Sequence, residues 1–191
     1  MLKKAIIEHC APTLAGLKTA NMFTFDTKFK NVNKELCFLN KMFNKKGVRI
    51  VPIRSGTNKT LFYVYRPERL NSDLCNPTAK SILCSKGYCY TNAENCIVQL
   101  AKRLKAETDF PHEIGLFLGY PPEDVKCFID NPKEGVKCVG CWKAYTNPDK
   151  AEEIFAKYKK CTKIYMEEGR KGKPLNRLVV NTLKRPAISV A

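Results

Sequence analysis

Residues 110–129 constrain the fold more than any other stretch, because proline and glycine bound two short helices within it. Pro111 suits the first turn of a helix, where its missing N–H costs nothing. Gly119 supplies the left-handed residue that ends a helix, and Pro121 with Pro122 begins the next one. The apolar positions at helical spacing are Ile114, Phe117, Leu118, Val125, Phe128 and Ile129. The stretch therefore predicts a tight helical corner.

The spacing of this corner is similar to that of the helix-turn-helix of DNA-binding proteins. Gly115 is small where two helices would touch, and Tyr120 and Val125 are apolar where that motif packs. A helix that reads DNA must offer donors to base edges and tolerate phosphate. Here the second helix begins with two prolines followed by Glu123 and Asp124. DNA binding through residues 111–129 is therefore an alternative that the sequence disfavours without excluding it.

The net charge of +16 invites a nucleic-acid partner, but its distribution argues against one. Residues 111–150 carry 5 basic and 6 acidic side chains, so the corner lies in an acidic part of a basic chain. Much of the excess positive charge comes from lysines on amphipathic helices, where lysines usually form the solvent-exposed face. A length of 191 residues with 44% hydrophobic residues suits a soluble globular domain with a sizeable core.

Ten cysteines and the character of the N-terminus place the chain in the cytoplasm. Glu8 and His9 interrupt the apolar run after Ala5, which disfavours a signal peptide, and no apolar run reaches the length of a membrane span. Many cysteines without an export signal indicate reduced thiols in an anaerobic or reducing compartment.

Strand patterns lie on both sides of an amphipathic helix over residues 28–46. Residues 48–54 and 60–66 form two strands joined by a short loop, which predicts a hairpin. The second of these strands is apolar throughout, so we expect it to be central and covered on both faces. Further strands are predicted over residues 20–25 and 136–145.

Helix signals fill most of the rest. Pro12 begins a short helix over residues 12–18, and further helices begin at Pro67 and Asn76. Thr91 with Glu94 forms a capping box, and Asn147 with the following proline caps a long helix that ends at Gly169. The expected fold is α+β: a small mixed sheet, made of a hairpin plus one or two further strands, wrapped by several helices. It forms one domain over residues 1–169, followed by a basic, loosely attached tail over residues 170–191.

Several segments together resemble one protein family. They are residues 9–18 (HCAPTLAGLK), 63–67 (YVYRP), 110–121 (FPHEIGLFLGYP) and Trp142-Lys143. The chain is similar over about residues 5–170 to the uncharacterised family of anaerobic Firmicutes known only as a domain of unknown function, number thirty-seven ninety-three. The resemblance implies no established activity and favours a redox or metal-handling role. It places an aromatic residue where this chain has Cys141, so a shared role for Cys138 with Cys141 stays open.

Cys10 is the leading candidate for a reactive residue. A thiol just ahead of a helix start feels the positive end of the helix dipole, which stabilises the thiolate. Lys18 adds to this effect if the helix folds back. The alternative is an N-terminal plug in which Cys10 is buried and inert.

His112 and Glu113, in the first turn of a helix, are candidates for a base or a metal ligand. The alternative is that Glu113 caps the helix and His112 bonds a nearby carbonyl. His9, Cys10 and His112 form the candidate set for a transition metal, iron or zinc, while Cys10, Lys18, His112 and Glu113 form the candidate catalytic set.

Tyr120, Trp142 and Lys143 stand in the segments that carry the resemblance and are the candidate cofactor-binding residues. Packing in the interior is the favoured alternative for Trp142. The cofactor itself is unknown.

Three functions remain open at this point. The first is a metal- or cofactor-binding protein in a redox or metal-handling role, with a pocket near Cys10 and His112 and a redox protein as partner. The second is a thiol-dependent enzyme with Cys10 as nucleophile and His112 as base. The third is DNA binding through the helical corner. All three leave substrate and oligomeric state undefined, and the first two require Cys10 and His112 to share one hollow.

Overall fold

The structure is a computed structural model that describes residues 1–28, 32–106 and 110–183. Over these ranges the chain is α+β, with helices packed on both faces of a three-stranded sheet. The first half contains α1 (Leu2–Leu14), β1 (Ala20–Asp26), α2 (Val32–Asn44), β2 (Arg49–Ser55), β3 (Lys59–Tyr65), α3 (Pro67–Leu74) and α4 (Pro77–Ser85). The second half contains α5 (Ala93–Ala106), α6 (Ile114–Phe117), α7 (Pro122–Asp130), β4 (Cys138–Val139), β5 (Lys143–Ala144), α8 (Pro148–Arg170) and α9 (Leu175–Leu178).

The sheet has the order β1-β3-β2 and is antiparallel throughout, whereas a mixed sheet was expected. The predicted hairpin of β2 and β3 is confirmed, and β3 is the central strand. Successive residues of β3 point to opposite faces. Leu61, Tyr63 and Tyr65 enter one apolar cluster, and Phe62 and Val64 enter another. Burial on both faces explains why the LFYVY run carries no charge.

Each face of the sheet is covered by different helices. Helices α3 to α7 pack over the first cluster, and α1, α2 and α9 pack over the second. Helix α8 lies along α1. None of the helices within the described ranges has the length and apolarity needed to cross a membrane.

The first helix differs most from its prediction. Residues 12–18 were expected to form a short helix, but α1 begins at Leu2 and ends at Leu14, with Pro12 inside its last turn. Leu2, Ile6, Cys10 and Leu14 recur every four residues and are all buried. Glu8 and His9 lie on the exposed side of the same helix, so they do not interrupt it. The apolar face, rather than proline, sets the extent of this helix.

Two other elements also differ. Residues 136–145 were expected to form one strand, but they form the short hairpin of β4 and β5, in which Gly140 N–H donates to the Trp142 carbonyl over 3.0 Å. The capping bond at the start of α5 comes from Asn92, whose side chain accepts from Asn95 N–H over 2.8 Å, rather than from Thr91. The predicted cap at Asn147 is confirmed, since its side chain accepts from Lys150 N–H over 3.1 Å.

The ends of two predicted segments fall outside the described residues. Of the helix expected over residues 28–46, Val32–Asn44 is helical and residues 29–31 are not described. Of the tail expected over residues 170–191, residues 184–191 are not described. Within the described part of that tail, Leu175, Leu178 and Val179 are buried.

Arg66 holds this C-terminal segment to the core. Its guanidinium is buried and donates to the carbonyls of Thr13, Leu14 and Val180 over 2.7, 2.8 and 3.0 Å. It also donates to Thr182 Oγ1 over 2.9 Å. Burial lowers the pKa of Arg66 to about 10, so it stays charged at neutral pH. One buried cation therefore joins the end of α1, the end of β3 and the C-terminal segment.

Candidate functional site

The helical corner predicted over residues 110–129 is present as α6 and α7, and it forms one side of a cavity. Gly119 has a φ of +74°, and a Cβ there would meet Thr19 Oγ1 at 2.5 Å. At Gly115, a Cβ would lie 2.8 Å from Val125 Cγ2. Both positions need glycine, because one bends the chain and the other lets the two helices touch. The corner is a packing device, and α7 begins with Glu123 and Asp124 in its first turn.

The cavity beside this corner has a volume of about 680 Å³, within the range of small-molecule sites. Four aromatic side chains line it: Phe110, Tyr120 and Phe128 come from the corner, and Trp142 comes from the hairpin of β4 and β5. Its charged residues and its one imidazole are Lys86, Arg103, His112, Glu113, Asp124 and Lys143. We call this space the corner cavity.

Both carboxylates of the corner cavity are already engaged by protein donors. Glu113 is only 2% exposed; Arg103 Nε lies 3.0 Å from its Oε1, and the Tyr88 hydroxyl donates to the same oxygen over 3.0 Å. Tyr88 in turn lies under the Arg103 guanidinium, 5.5 Å from the ring centroid. Glu113 is therefore a buried partner of Arg103 rather than a helix cap.

Asp124 gathers more donors than any other carboxylate of the described chain. Its Oδ1 accepts from Tyr145 N–H and Thr146 N–H over 3.0 Å each and from Thr146 Oγ1 over 2.8 Å, while Trp142 Nε1 donates to Oδ2 over 2.8 Å. Burial alone would raise the pKa of Asp124, but these hydrogen bonds outweigh it and hold the pKa below its ordinary value. Asp124 thus stays ionised and fixes the indole of Trp142 in the cavity wall.

The cations of the cavity are held differently. Lys143 Nζ donates to the Pro132 carbonyl over 2.8 Å and lies 5.5 Å from the centroid of the Phe128 ring. Arg103 donates through Nη1 to the Lys86 carbonyl over 2.9 Å. Lys86 itself is half-buried, and no carboxylate of the described residues lies within salt-bridge distance of its ammonium. Three cations against two carboxylates, both of which are already hydrogen-bonded within the protein, give the cavity a small positive excess.

An aromatic wall separates the corner cavity from a second one. Trp142 stacks on Tyr120 with ring centroids 5.2 Å apart, and the Phe155 ring meets Trp142 edge-on at 4.5 Å. Tyr120 and Trp142 line the corner cavity, whereas Phe155 and Tyr158 line a cavity of about 580 Å³ between α1 and α8. We call the latter the α1–α8 cavity. Lys18 lies in this wall, its Nζ 5.0 Å from the Tyr120 ring centroid.

The predicted site residues therefore divide into two groups. His112, Glu113, Tyr120, Trp142 and Lys143 meet in the corner cavity. His9 and Lys18 line the α1–α8 cavity instead. The shared hollow that was expected for the Cys10 segment and the His112 helix is not formed, because α1 packs on the opposite face of the sheet from most of the corner.

The expectation for Cys10 is corrected in the same way. Cys10 lies inside α1 rather than ahead of a helix start, and its side chain is fully buried in the second apolar cluster. Burial raises the pKa of its thiol, an effect that the nearby Lys18 only partly opposes. A buried neutral thiol is a poor nucleophile and a poor metal ligand.

The expected metal set is also not assembled. His9 is exposed and stacks on Phe23 at 5.6 Å, Cys10 points into the core, and His112 is exposed and meets Phe128 edge-on at 5.0 Å. Across residues 1–28, 32–106 and 110–183, no three His, Cys, Asp or Glu side chains lie close enough together to hold a metal ion. Cys138, in β4, and Cys141, in the turn between β4 and β5, are free thiols.

Three residues of the corner cavity were missed from the sequence: Lys86, Arg103 and Asp124. Lys86, just after α4, and Arg103, in α5, resemble ordinary surface cations. Asp124 resembles an ordinary acidic residue in the first turn of a helix, whose negative charge disfavours DNA binding. The signal that relates Asp124 to the site is Trp142, a lone indole that needs an acceptor when it is half-buried.

The fold and the site define an α+β protein with an aromatic, cation-bearing cavity between a helical corner and a short hairpin. This chain belongs to the family described as protein of unknown function DUF3793, which matches residues 6–179. Neither a curated protein nor a solved structure is significantly similar to the chain.

Proposed function

We propose that the protein binds a small, flat, anionic molecule, a cofactor or metabolite, in the corner cavity. The observation that carries this proposal is the convergence of four aromatic side chains with Lys86, Arg103 and Lys143 around about 680 Å³. Aromatic rings supply apolar contact area for a planar ligand, and a few fixed polar groups supply orientation.

Charge supports an anion over a cation. The two carboxylates of the cavity are saturated by Arg103, Tyr88, Trp142 and the backbone, so they have little left to offer a cationic ligand. No carboxylate of the described residues forms a salt bridge with Lys86, so its ammonium can bind an anionic ligand. His112 lies at the exposed edge of the cavity, where it can bond a polar group of the ligand.

This function retains the cofactor-binding part of the expectation from sequence and gives no role to Cys10. A flat anionic cofactor is compatible with a redox role and a redox partner protein, and the ten free cysteines favour the reducing cytoplasm of an anaerobic bacterium. Transition-metal binding and thiol catalysis receive no support from the positions of His9, Cys10 and His112.

Trp142 provides a direct test, because it is the chain's only tryptophan and lines the cavity. The probes are 1-anilinonaphthalene-8-sulfonate and N-phenyl-1-naphthylamine, which share a ring system but differ by the sulfonate. We expect the sulfonate to bind with 1:1 stoichiometry and to quench Trp142. We expect Lys86→Gln to weaken the sulfonate roughly tenfold, equivalent to about 1.4 kcal/mol, and to leave the uncharged probe unchanged.

The matched control is Lys126→Gln, a charge removal at an exposed position of α7 next to the cavity-lining Val125. It should leave both probes unchanged. Equal binding of the two probes, an equal effect of the two lysine variants, or binding that leaves Trp142 emission unaltered would each overturn the proposal.

A further inference from the structure

The α1–α8 cavity contains a buried lysine with an unusual environment. Lys18 follows α1 and is only 5% exposed, although lysines are almost never buried without a partner. Its ammonium makes no hydrogen bond or ion pair with the residues that the structure describes. Its neighbours are aromatic faces: Nζ lies 5.0 Å from the Tyr120 ring centroid and 5.9 Å from that of Tyr158.

The cavity that Lys18 lines is basic and large enough for a small metabolite. Its volume is about 580 Å³, and His9 and Asn21 also line it. The other charged side chains that line it are Lys159, Lys163, Glu167 and Arg170. Three cations against one carboxylate attract an anionic ligand towards the amine.

Burial makes the amine of Lys18 easier to deprotonate. It lowers the pKa of Lys18 to about 8, and the nearby Cys141 and Cys10 oppose this only in part. About a tenth of Lys18 is therefore an uncharged amine at pH 7, and this nucleophilic form becomes half of the population at a pH of about 8. The Tyr158 hydroxyl, with a pKa that burial raises to about 12, remains protonated beside it.

We propose that Lys18 is a nucleophilic lysine that forms an imine with an anionic aldehyde or ketone held in the α1–α8 cavity. The amine nitrogen attacks the carbonyl carbon, a C–N bond forms, and the carbonyl oxygen leaves as water with both amine hydrogens. The imine forms without an oxidant or reductant. The site lies across the aromatic wall from the corner cavity, and its test does not depend on ligand binding there.

The probe for this site is pyridoxal 5′-phosphate, an aldehyde that carries an anionic group, used below stoichiometry on the intact protein. Borohydride reduction fixes the imine, and peptide mass spectrometry locates it. We expect Lys18 to carry most of the label, at least tenfold above any exposed lysine, and Lys18→Arg to lose it. Lys163→Gln should remove the preference for this probe over pyridoxal, which lacks the phosphate.

The matched control is Lys160→Gln, at an exposed position of α8 that does not line the cavity, and it should change neither probe. A second measurement needs no variant: in the wild-type protein, labelling of Lys18 should rise through a pH of about 8, below the ordinary lysine value of 10.5. Label spread over exposed lysines in proportion to their exposure, or a Lys18 profile that matches theirs, would overturn the proposal.

Discussion

The indole of Trp142 is held by Asp124, since Nε1 donates to Oδ2 over 2.8 Å while three further donors hold the other carboxylate oxygen. This pair connects α7 to the hairpin of β4 and β5 and sets one wall of the corner cavity. Each strand of this hairpin has only two residues, so the bond to Asp124 supplies a restraint on the indole that strand pairing does not.

Replacing Asp124 by Asn should therefore be costly. An amide has one acceptor oxygen and presents an NH₂ group where a donor already points, so we expect a loss of about 3 kcal/mol in the free energy of unfolding. Urea unfolding measures it. Asp130→Asn, at the exposed end of the same helix, is the control and should stay within about 0.5 kcal/mol of the wild type. A loss equally small for Asp124→Asn would contradict the assigned role.

The same substitution has a defined pH dependence. The folded pKa of Asp124 lies below its ordinary value of 3.8, so its stabilisation is present above pH 3.8 and is lost as pH falls through the folded pKa. The difference in free energy of unfolding between the wild type and Asp124→Asn should be constant from neutral pH down to the ordinary aspartate pKa of 3.8. It should shrink at lower pH.

The aromatic wall depends on Gly140. A Cβ at this position would overlap the Phe155 ring, which meets Trp142 edge-on. We expect Gly140→Ala to displace Phe155, to cost about 1–3 kcal/mol through overpacking, and to shift Trp142 emission to longer wavelength. Gly56→Ala is the control, because a Cβ there makes only ordinary contact with the Lys59 carbonyl. Unchanged emission in Gly140→Ala would argue that Phe155 does not support the wall.

Arg66 should be irreplaceable even by lysine. A lysine ammonium cannot reach the carbonyls of Thr13, Leu14 and Val180 together, so we expect Arg66→Lys to cost about 3 kcal/mol. Hydrogen exchange should show lost protection over residues 175–183. Arg69→Lys is the control, since the exposed Arg69 makes a single bond to the Gly16 carbonyl. Loss of protection elsewhere but not at residues 175–183 would contradict this role.

Lys18 should reduce stability at neutral pH. Its folded pKa of about 8 lies below the ordinary 10.5, so the native state penalises the ammonium form. The penalty, at most about 3 kcal/mol, is complete below pH 8 and fades as pH rises to 10.5. Lys18→Met should therefore be more stable than the wild type at pH 7 and nearly equal to it above pH 10.5. Thermal unfolding across this range is the measurement, and a gain independent of pH would contradict the assignment.

The sheet and most helices were predictable because their signals are local. The apolar run of β3 and the short loop before it determine a hairpin with a buried central strand. The corner was equally predictable, because Gly119 ends one helix and the two prolines after it begin the next within a few residues. Cys10 is the exception, because Pro12 indicates a helix start while the four-residue recurrence of Leu2, Ile6 and Cys10 extends the helix back to Leu2.

The site was less accessible to sequence reasoning. His112 and Glu113 lie next to each other in the chain, and Trp142 with Lys143 forms a second local motif, so both pairs were named. Their neighbours in space are contributed by tertiary packing alone. Arg103 is recognisable as part of the site only through its 3.0 Å approach to Glu113, and no spacing along the chain encodes it.

The buried guanidinium of Arg66 also bears on how the protein matures at the ribosome. Two of its acceptors, Val180 and Thr182, are synthesised more than a hundred residues after the arginine itself. Until Val180 and Thr182 emerge, the Arg66 guanidinium at the end of the central strand lacks two of its hydrogen-bond acceptors. We therefore expect the nascent sheet to remain loosely packed at the end of β3 and to close only after Val180 and Thr182 have emerged from the ribosome.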